Sequence, residues 1–441
     1  MELKILNLKN SYDLIKEKLA QRGRIRSIEV IDKVTKIVND VHKYGDSAII
    51  EYTREFDNVE LRQGYLKVNT REIESAYQLV SKEFISSIRV AKSNIEKFHS
   101  LQLRTLWFTE TTPGVHVGQK YSPLRSVGIY VPGGRASYPS TVLMAAIPAK
   151  IAGVEEIVIC SPPTVDGNID PSVIVAANEV GVNKIFKIGG AQAIAAMAYG
   201  TESVPKVEKI IGPGNIYVIT AKLVVSNEVR IDSPAGPSEI LILADSGSNP
   251  KFIAYDLMAQ AEHDPNAYCV LVSESAPLLR KVIDELSTLL PSSKRSGIIE
   301  KSLSSNGLFI ETKSLKEAID FINDFAPEHL ELMVREPFKL LSEIKNSGAI
   351  FLGEFSPVAI GDFVAGSNHI LPTSGYAKTY SGLSLTDFTK SIDVVYATRE
   401  GLKKIRKPLA ELAINEKLLE HKNSVEVRLV DEDESDDQRR T

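Results

Sequence analysis

The chain has 441 residues and a formal charge of −5, with 43% hydrophobic and 25% charged residues, a mixture that excludes disordered, collagenous or fibrous proteins. Six acids fall in the tail Asp431 to Asp437, and residues 1–430 carry 50 basic against 51 acidic side chains, so no basic surplus points to nucleic acid as a partner. The length predicts about three domains, and no run of 18 apolar residues marks a membrane span, since Lys150 and Lys222 interrupt the best candidates.

In chain order, Ser11 to about Leu103 reads as helical: Ile28, Ile31, Val34, Val38 and Val41 recur near a 3.6 period, and Phe84 to Leu101 repeats the pattern. From Ser126 short β-branched runs (GIYV, EIVIC, KIFKI, KII) alternate with helical ones (TVLMAAIPAKIAG, PSVIVAANEVG, AQAIAAMAYG, NIYVITAKLVV), which predicts a parallel α/β sheet. A second βα series runs from EILILAD through YCVLVSES, GLFIET and LELMV to GAIFLG, again in the order of a doubly wound sheet. The boundary between the two is expected near Ser233-Pro234-Ala235-Gly236-Pro237. Beyond Gly353 the chain reads as loop, residues 400–421 resume a helical pattern, and the acidic tail 431–441 is expected to be disordered.

Both cysteines, Cys160 and Cys269, sit in apolar β-rich runs, where a buried inert thiol is the expectation. Such sparse cysteine usage, and a start without an apolar stretch and small-residue cleavage site, predict a cytoplasmic protein.

Three glycine-rich turns are candidates for ligand contact: Pro132-Gly133-Gly134, Gly189-Gly190-Ala191-Gln192 and Gly212-Pro213-Gly214-Asn215. They fall where strands of an α/β sheet end, yet none completes G-x-G-x-x-G and no P-loop occurs, so nucleotide binding and plain tight turns both remain open. Gln260 and His263, spaced i, i+3, put an amide oxygen and an imidazole on one helix face, and Asp362 and His421 could complete an N/O metal set, one of very many that can be drawn. Glu328-His329 places a carboxylate beside an imidazole at an α/β junction; general acid/base work and a histidine serving the helix dipole both fit. Ser238 lacks the second glycine of a nucleophile elbow.

The segments YVPGGRASYPSTVLMAAIPAKIAG, GGAQAIAAMAYG, IIGPGNIYVITAK, DSPAGPSEILILAD, MAQAEHDP, APEHLEL and GDFVAGSNHILPTSGYA, in this order over roughly residues 30–425, resemble the histidinol dehydrogenase family. The resemblance implies two incomplete Rossmann-like α/β domains with a helical N-terminal segment and a small C-terminal helical segment that swaps across a homodimer. The implied divisions are 1–25 as an N-terminal arm, 26–129 with 238–382 as the larger catalytic domain, 130–237 as the NAD-binding domain, 383–430 as the segment completing the partner's active site, and 431–441 as tail.

The resemblance further implies oxidation of L-histidinol to L-histidine through bound L-histidinaldehyde, with two NAD and one Zn2+ per subunit. Gln260, His263, Asp362 and His421 match the zinc ligands, and Glu328 and His329 the acid/base pair, with His329 taking the hydroxyl proton and Glu328 activating water. Ser238, His369 and Glu416 match further substrate contacts, beside the ligands and His329 themselves. Tyr130, Gln192 and Asn215 match the NAD contacts, and Glu416 and His421 would act in trans. The chain departs from the family pattern at Lys417, where glycine is common, and in its acidic tail. Oxidation of another small alcohol, and a silent metabolite-binding dimer, are the competing expectations.

Overall fold

The computed structural model describes residues 3–22, 28–133, 137–233 and 236–430. The tail 431–441, and Gly134, Pro234 and Ala235 of the expected turns and boundary, lie outside the described residues. The strands are β1 (Ile5–Asn7), β2 (Trp107–Thr112), β3 (Val115–Pro123), β4 (Ser126–Tyr130), β5 (Glu156–Ser161), β6 (Lys184–Lys187) and β7 (Lys209–Ile211). They continue with β8 (Arg230–Ile231), β9 (Glu239–Ala244), β10 (Tyr268–Ser273), β11 (Gly307–Glu311), β12 (His329–Met333), β13 (Ala349–Leu352) and β14 (Thr389–Ala397).

Two parallel sheets position most of the candidate residues. One has six strands in the order β1-β11-β10-β9-β12-β13, the other five in the order β6-β5-β4-β7-β8. Every residue of β9, β10 and β12 is buried, because a parallel sheet covered by helices on both faces has no solvent side and its strands read as continuous apolar runs. In the five-stranded sheet the strand order reverses beside β4, the sheet's first strand in sequence, whose neighbours are β5 and β7. That is the switch point where open α/β sheets leave a crevice.

Several edges differ from those expected. β4 lies wholly in the five-stranded sheet, so a boundary after residue 129 would cut it. The helices Ile28–Tyr44 and Asp46–Asp57 bury Val34, Ile37, Val38, Val41 and Ile49 in one cluster with Val158, Cys160, Phe186 and Ile194. Ile88, Ala91 and Ile95 of the helix Lys82–Ser100 pack with Ile129, Val142 and Ile159. Both groups therefore cover the five-stranded sheet, not the six-stranded one. The arm contributes a strand as well as a helix, β1 pairing in parallel with β11 through Ile5 and Phe309.

By contact density the described chain forms two units, Met1–Gln102 with Leu124–Phe388, and Leu103–Pro123 with Thr389–Thr441. The second holds the antiparallel sheet β14-β3-β2 and the helices Arg399–Asn415 and Leu419–Glu426. Pairing of Val395 with Val117 joins two stretches far apart in sequence, and neither reads strongly from periodicity alone. No described helix is long and apolar enough to cross a membrane.

Candidate active site

In the six-stranded sheet the candidate residues gather where strands begin. Ser238 directly precedes β9, Glu328 directly precedes β12, and His329 is its first residue, in register with Ile240 of β9 and Ala349 of β13. The helix Leu315–Phe325 stops at Ala326, whose left-handed φ of 51° turns the chain sharply, and Pro327, with no N–H to donate, cannot resume the helical hydrogen bonding. Glu328 and His329 are both buried.

The backbone of one residue aligns them. The Glu239 N–H donates to Glu328 Oε2 at 2.8 Å, and the Glu239 carbonyl lies 2.9 Å from His329 Nδ1. A carbonyl can only accept, so Nδ1 carries the proton, and Nε2 of the neutral ring holds the lone pair. Nε2 is buried with no hydrogen-bond partner among the described residues, 3.6 Å from Asp362 Oδ1. Burial pushes the Glu328 carboxyl up to about 8, against the pull of His329. Burial alone would lower His329, but the charges of Glu328 and Asp362 outweigh it and raise its proton affinity.

Asp362 sits on the short helix Val358–Phe363. Burial opposes its charge, yet His329, His369 and His263 outweigh burial and hold the carboxyl below its ordinary range. Its backbone carbonyl accepts from His369 Nδ1 at 2.8 Å, leaving His369 Nε2 to the Thr141 hydroxyl at 3.3 Å. Behind them Glu331, two residues along β12 on the face of His329, accepts from the Val358 N–H at 2.8 Å and so fixes the start of the Asp362 helix. Gln260 is buried near the end of the helix Pro250–Ala261. His263 falls just past that end, its N–H 3.3 Å from the Gln260 carbonyl, so the expected i, i+3 pair spans a terminal turn and not a continuous helix.

Among the described residues no three His, Cys, Asp or Glu side chains converge tightly enough to hold an ion by themselves. Glu416 and His421 belong to the second unit, both exposed. Lys417, next to Glu416, adopts a left-handed φ of 61°, a conformation that glycine takes up more readily than lysine.

The glycine turns meet around one tyrosine. Tyr130 ends β4, buried, and its Oη accepts from the Gly190 N–H at 3.1 Å. Gly212, with φ 122°, lies so close to the Tyr130 carbonyl that an added Cβ would stand 2.1 Å from its oxygen. A Cβ on Gly133 or Gly189 would strike Pro162 at 2.7 or 2.6 Å, so the first two turns close on the same proline. Gln192 is 1% exposed, and its Oε1 has no hydrogen-bond partner among the described residues. Asn215 caps the helix Ile216–Val224, accepting from the Tyr217 and Val218 N–H groups at 3.0 and 3.2 Å. Sequence reasoning missed the ion pair beneath the third turn, although Lys222, a charge inside an apolar run, was a signal: its ammonium pairs with Asp232 and donates to the Gly212 carbonyl. Cys160 and Cys269 are fully buried, and burial raises both thiols well above the range of an activated nucleophile.

Residues 20–429 match the family described as histidinol dehydrogenase. The chain belongs to the histidinol dehydrogenase family. It is 47% identical over 401 residues to histidinol dehydrogenase of Methanosarcina mazei, covering 91% of this chain and 92% of that one. The relative from Methanothermobacter thermautotrophicus is 47% identical over 413 residues, covering 94% and 96%. The crystal structure of histidinol dehydrogenase from Elizabethkingia anophelis superposes with a TM-score of 0.92 at 39% identity, over 96% of each chain. Membership in the histidinol dehydrogenase family makes the chain a dehydrogenase of mixed α/β fold, and the motifs quoted from the sequence lie on the strand ends and turns just described.

Proposed function

We propose that the chain oxidises L-histidinol to L-histidine through a bound L-histidinaldehyde, reducing two NAD per turnover with one zinc ion per subunit. The observation that carries this reading is the Glu239 backbone, whose N–H and carbonyl hold a carboxyl and an imidazole side by side, the imidazole's Nε2 lying 3.6 Å from Asp362 Oδ1. Two successive oxidations at one carbon need two proton acceptors, one for the alcohol and one for water, and the pair supplies both.

The donor set fits zinc: a charged carboxylate from Asp362 and the imidazole of His263, with the amide oxygen of Gln260 and, acting in trans, His421 as the remaining ligands. Bound there, zinc would orient and polarise the alcohol and ease proton loss beside it, while NAD would receive the hydride. In the first step His329 Nε2 takes the hydroxyl proton. In the second, Glu328 takes a proton from the water that adds to the aldehyde, its proton affinity raised by burial into the range where a carboxylate is an effective base near neutrality. Ser238, His369 and Glu416 would contact the substrate, and the Nδ1–H held by the Asp362 carbonyl keeps His369 in one tautomer.

Tyr130, Gln192 and Asn215 would bind NAD on the five-stranded sheet, the unpartnered Gln192 Oε1 being the strongest support. A homodimer in which Glu416 and His421 complete the partner's site, in the cytoplasm, finishes the reading. The test is NADH formed per L-histidinol consumed by zinc-loaded protein, repeated after chelation. The expected ratio is two, lost on chelation; no NADH from histidinol at full zinc loading overturns the reading, and a panel of other alcohols then finds the substrate.

A further inference from the structure

The residue that aligns Glu328 and His329 is itself held from behind. Glu239 is fully buried, and its carboxylate accepts from Arg22 Nε at 2.9 Å and from the Ser374 N–H at 3.0 Å. Arg22 comes from the N-terminal arm, just past the helix Tyr12–Gln21, and its side chain is 4% exposed. Its Nη2 donates to the Phe325 carbonyl at 2.7 Å, and the guanidinium lies 3.9 Å from the Phe325 ring centre.

These contacts point in two directions that both end at the catalytic pair. Through Glu239, Arg22 fixes the side chain of the residue whose N–H and carbonyl engage Glu328 and His329. Through Phe325 it fixes the last helical residue before the left-handed Ala326 and Pro327 deliver Glu328. A planar fork with divergent donors can do both at once, whereas an ammonium has no fixed fork. Retaining a buried ion pair is a poor route to stability, since apolar residues of similar volume often do as well or better, so its placement calls for another reason.

We propose that Arg22 is a positioning residue for the Glu328–His329 pair, acting through the Glu239 carboxylate and the Phe325 carbonyl. The inference rests on the proposed oxidation of histidinol. If Arg22 sets the pair, displacing it affects both oxidations together and leaves the NAD site, which lies on the other sheet, untouched.

The experiment compares wild type, R22K and the charge-free R22M/E239Q as full-length, zinc-loaded protein. It measures kcat with histidinol and with histidinaldehyde, KM for NAD, zinc content and the unfolding midpoint. A misplacement of about 1 Å lowers turnover roughly 100-fold, so kcat should fall about 10- to 100-fold for both substrates in both variants, with KM for NAD within about 2-fold and zinc retained. R22M/E239Q should fold as stably as wild type yet stay slow, which a merely structural pair would not produce. Wild-type kcat in R22K, or in a stable R22M/E239Q, overturns the proposal. Should the double variant fail to fold, R22K, which keeps the charge, decides alone. Failure of wild type itself to oxidise histidinol would instead strike the proposed function.

Discussion

Replacing Lys222 with methionine tests how the third glycine turn is held. Lys222 and Asp232 side chains are 4% and 7% exposed, and the two together occupy both backbone groups of Gly212: the ammonium donates to its carbonyl at 3.0 Å, and Asp232 Oδ2 accepts its N–H at 2.8 Å. Methionine keeps the bulk but strands the carboxylate and leaves the carbonyl without its donor. Breaking a buried pair from one side costs about 3–5 kcal/mol, whereas removing both charges is often close to neutral. Lys222→Met should therefore lose about 3–5 kcal/mol in urea unfolding followed by circular dichroism, and Lys222→Met with Asp232→Asn should recover at least about half. Because Asn215 lies three residues beyond Gly212, the single variant should also raise KM for NAD about 10-fold or more, this being a shift of about 1.4 kcal/mol in binding. Salt should leave the penalty almost unchanged, as buried charges are little screened. A loss under about 1 kcal/mol with an unaltered KM for NAD would refute the view that this pair holds the turn.

Gly212→Ala puts a Cβ at 2.1 Å from the Tyr130 carbonyl oxygen at φ 122°; KM for NAD should rise at least about 10-fold, and an unchanged KM would show that the turn can move freely. Burial raises the Glu331 carboxyl, and Asp256 raises it further. The folded protein then binds more protons than the unfolded chain above about pH 4, so stability falls as pH climbs through neutrality. Glu331→Gln, which keeps an acceptor for the Val358 N–H, should stabilise by roughly 1–2 kcal/mol at pH 8 and hardly at all at pH 4.5, and equal gains at both would refute the sign. Lys417→Gly should stabilise the protein by about 0.5–1 kcal/mol by relieving a left-handed lysine; thermal unfolding checks it, and a loss of stability would contradict the strain.

The parallel alternation was legible because strands sealed on both faces leave unbroken apolar runs such as EILILA, fully buried in β9. The glycine turns were legible because only glycine tolerates a carbonyl as close as Tyr130's is to Gly212. What escaped was everything that depends on distant partners. No period marks Ile5 as the neighbour of Phe309, or the helices of residues 28–100 as the cover of one sheet in preference to the other. The candidate pair stands out in the sequence as an adjacent dipeptide, but its setting runs against the usual placement of ligands at strand carboxyl ends, since Glu328 and His329 stand at the opening of β12. Glu239 could not be recognised either, because its backbone N–H and carbonyl do the aligning.

The pairing of β1 with β11 has a consequence for how the protein is made. Ile5 leaves the ribosome long before Phe309 exists to receive it, and at about 5–20 residues per second the wait is on the order of 15–60 s. Through that interval the arm has no edge to join, and Arg22 must wait first for Glu239 and then for Phe325 to be made. The arm, made early, is thus among the last segments to dock, and the alignment of Glu328 and His329 is deferred until most of the chain has been translated.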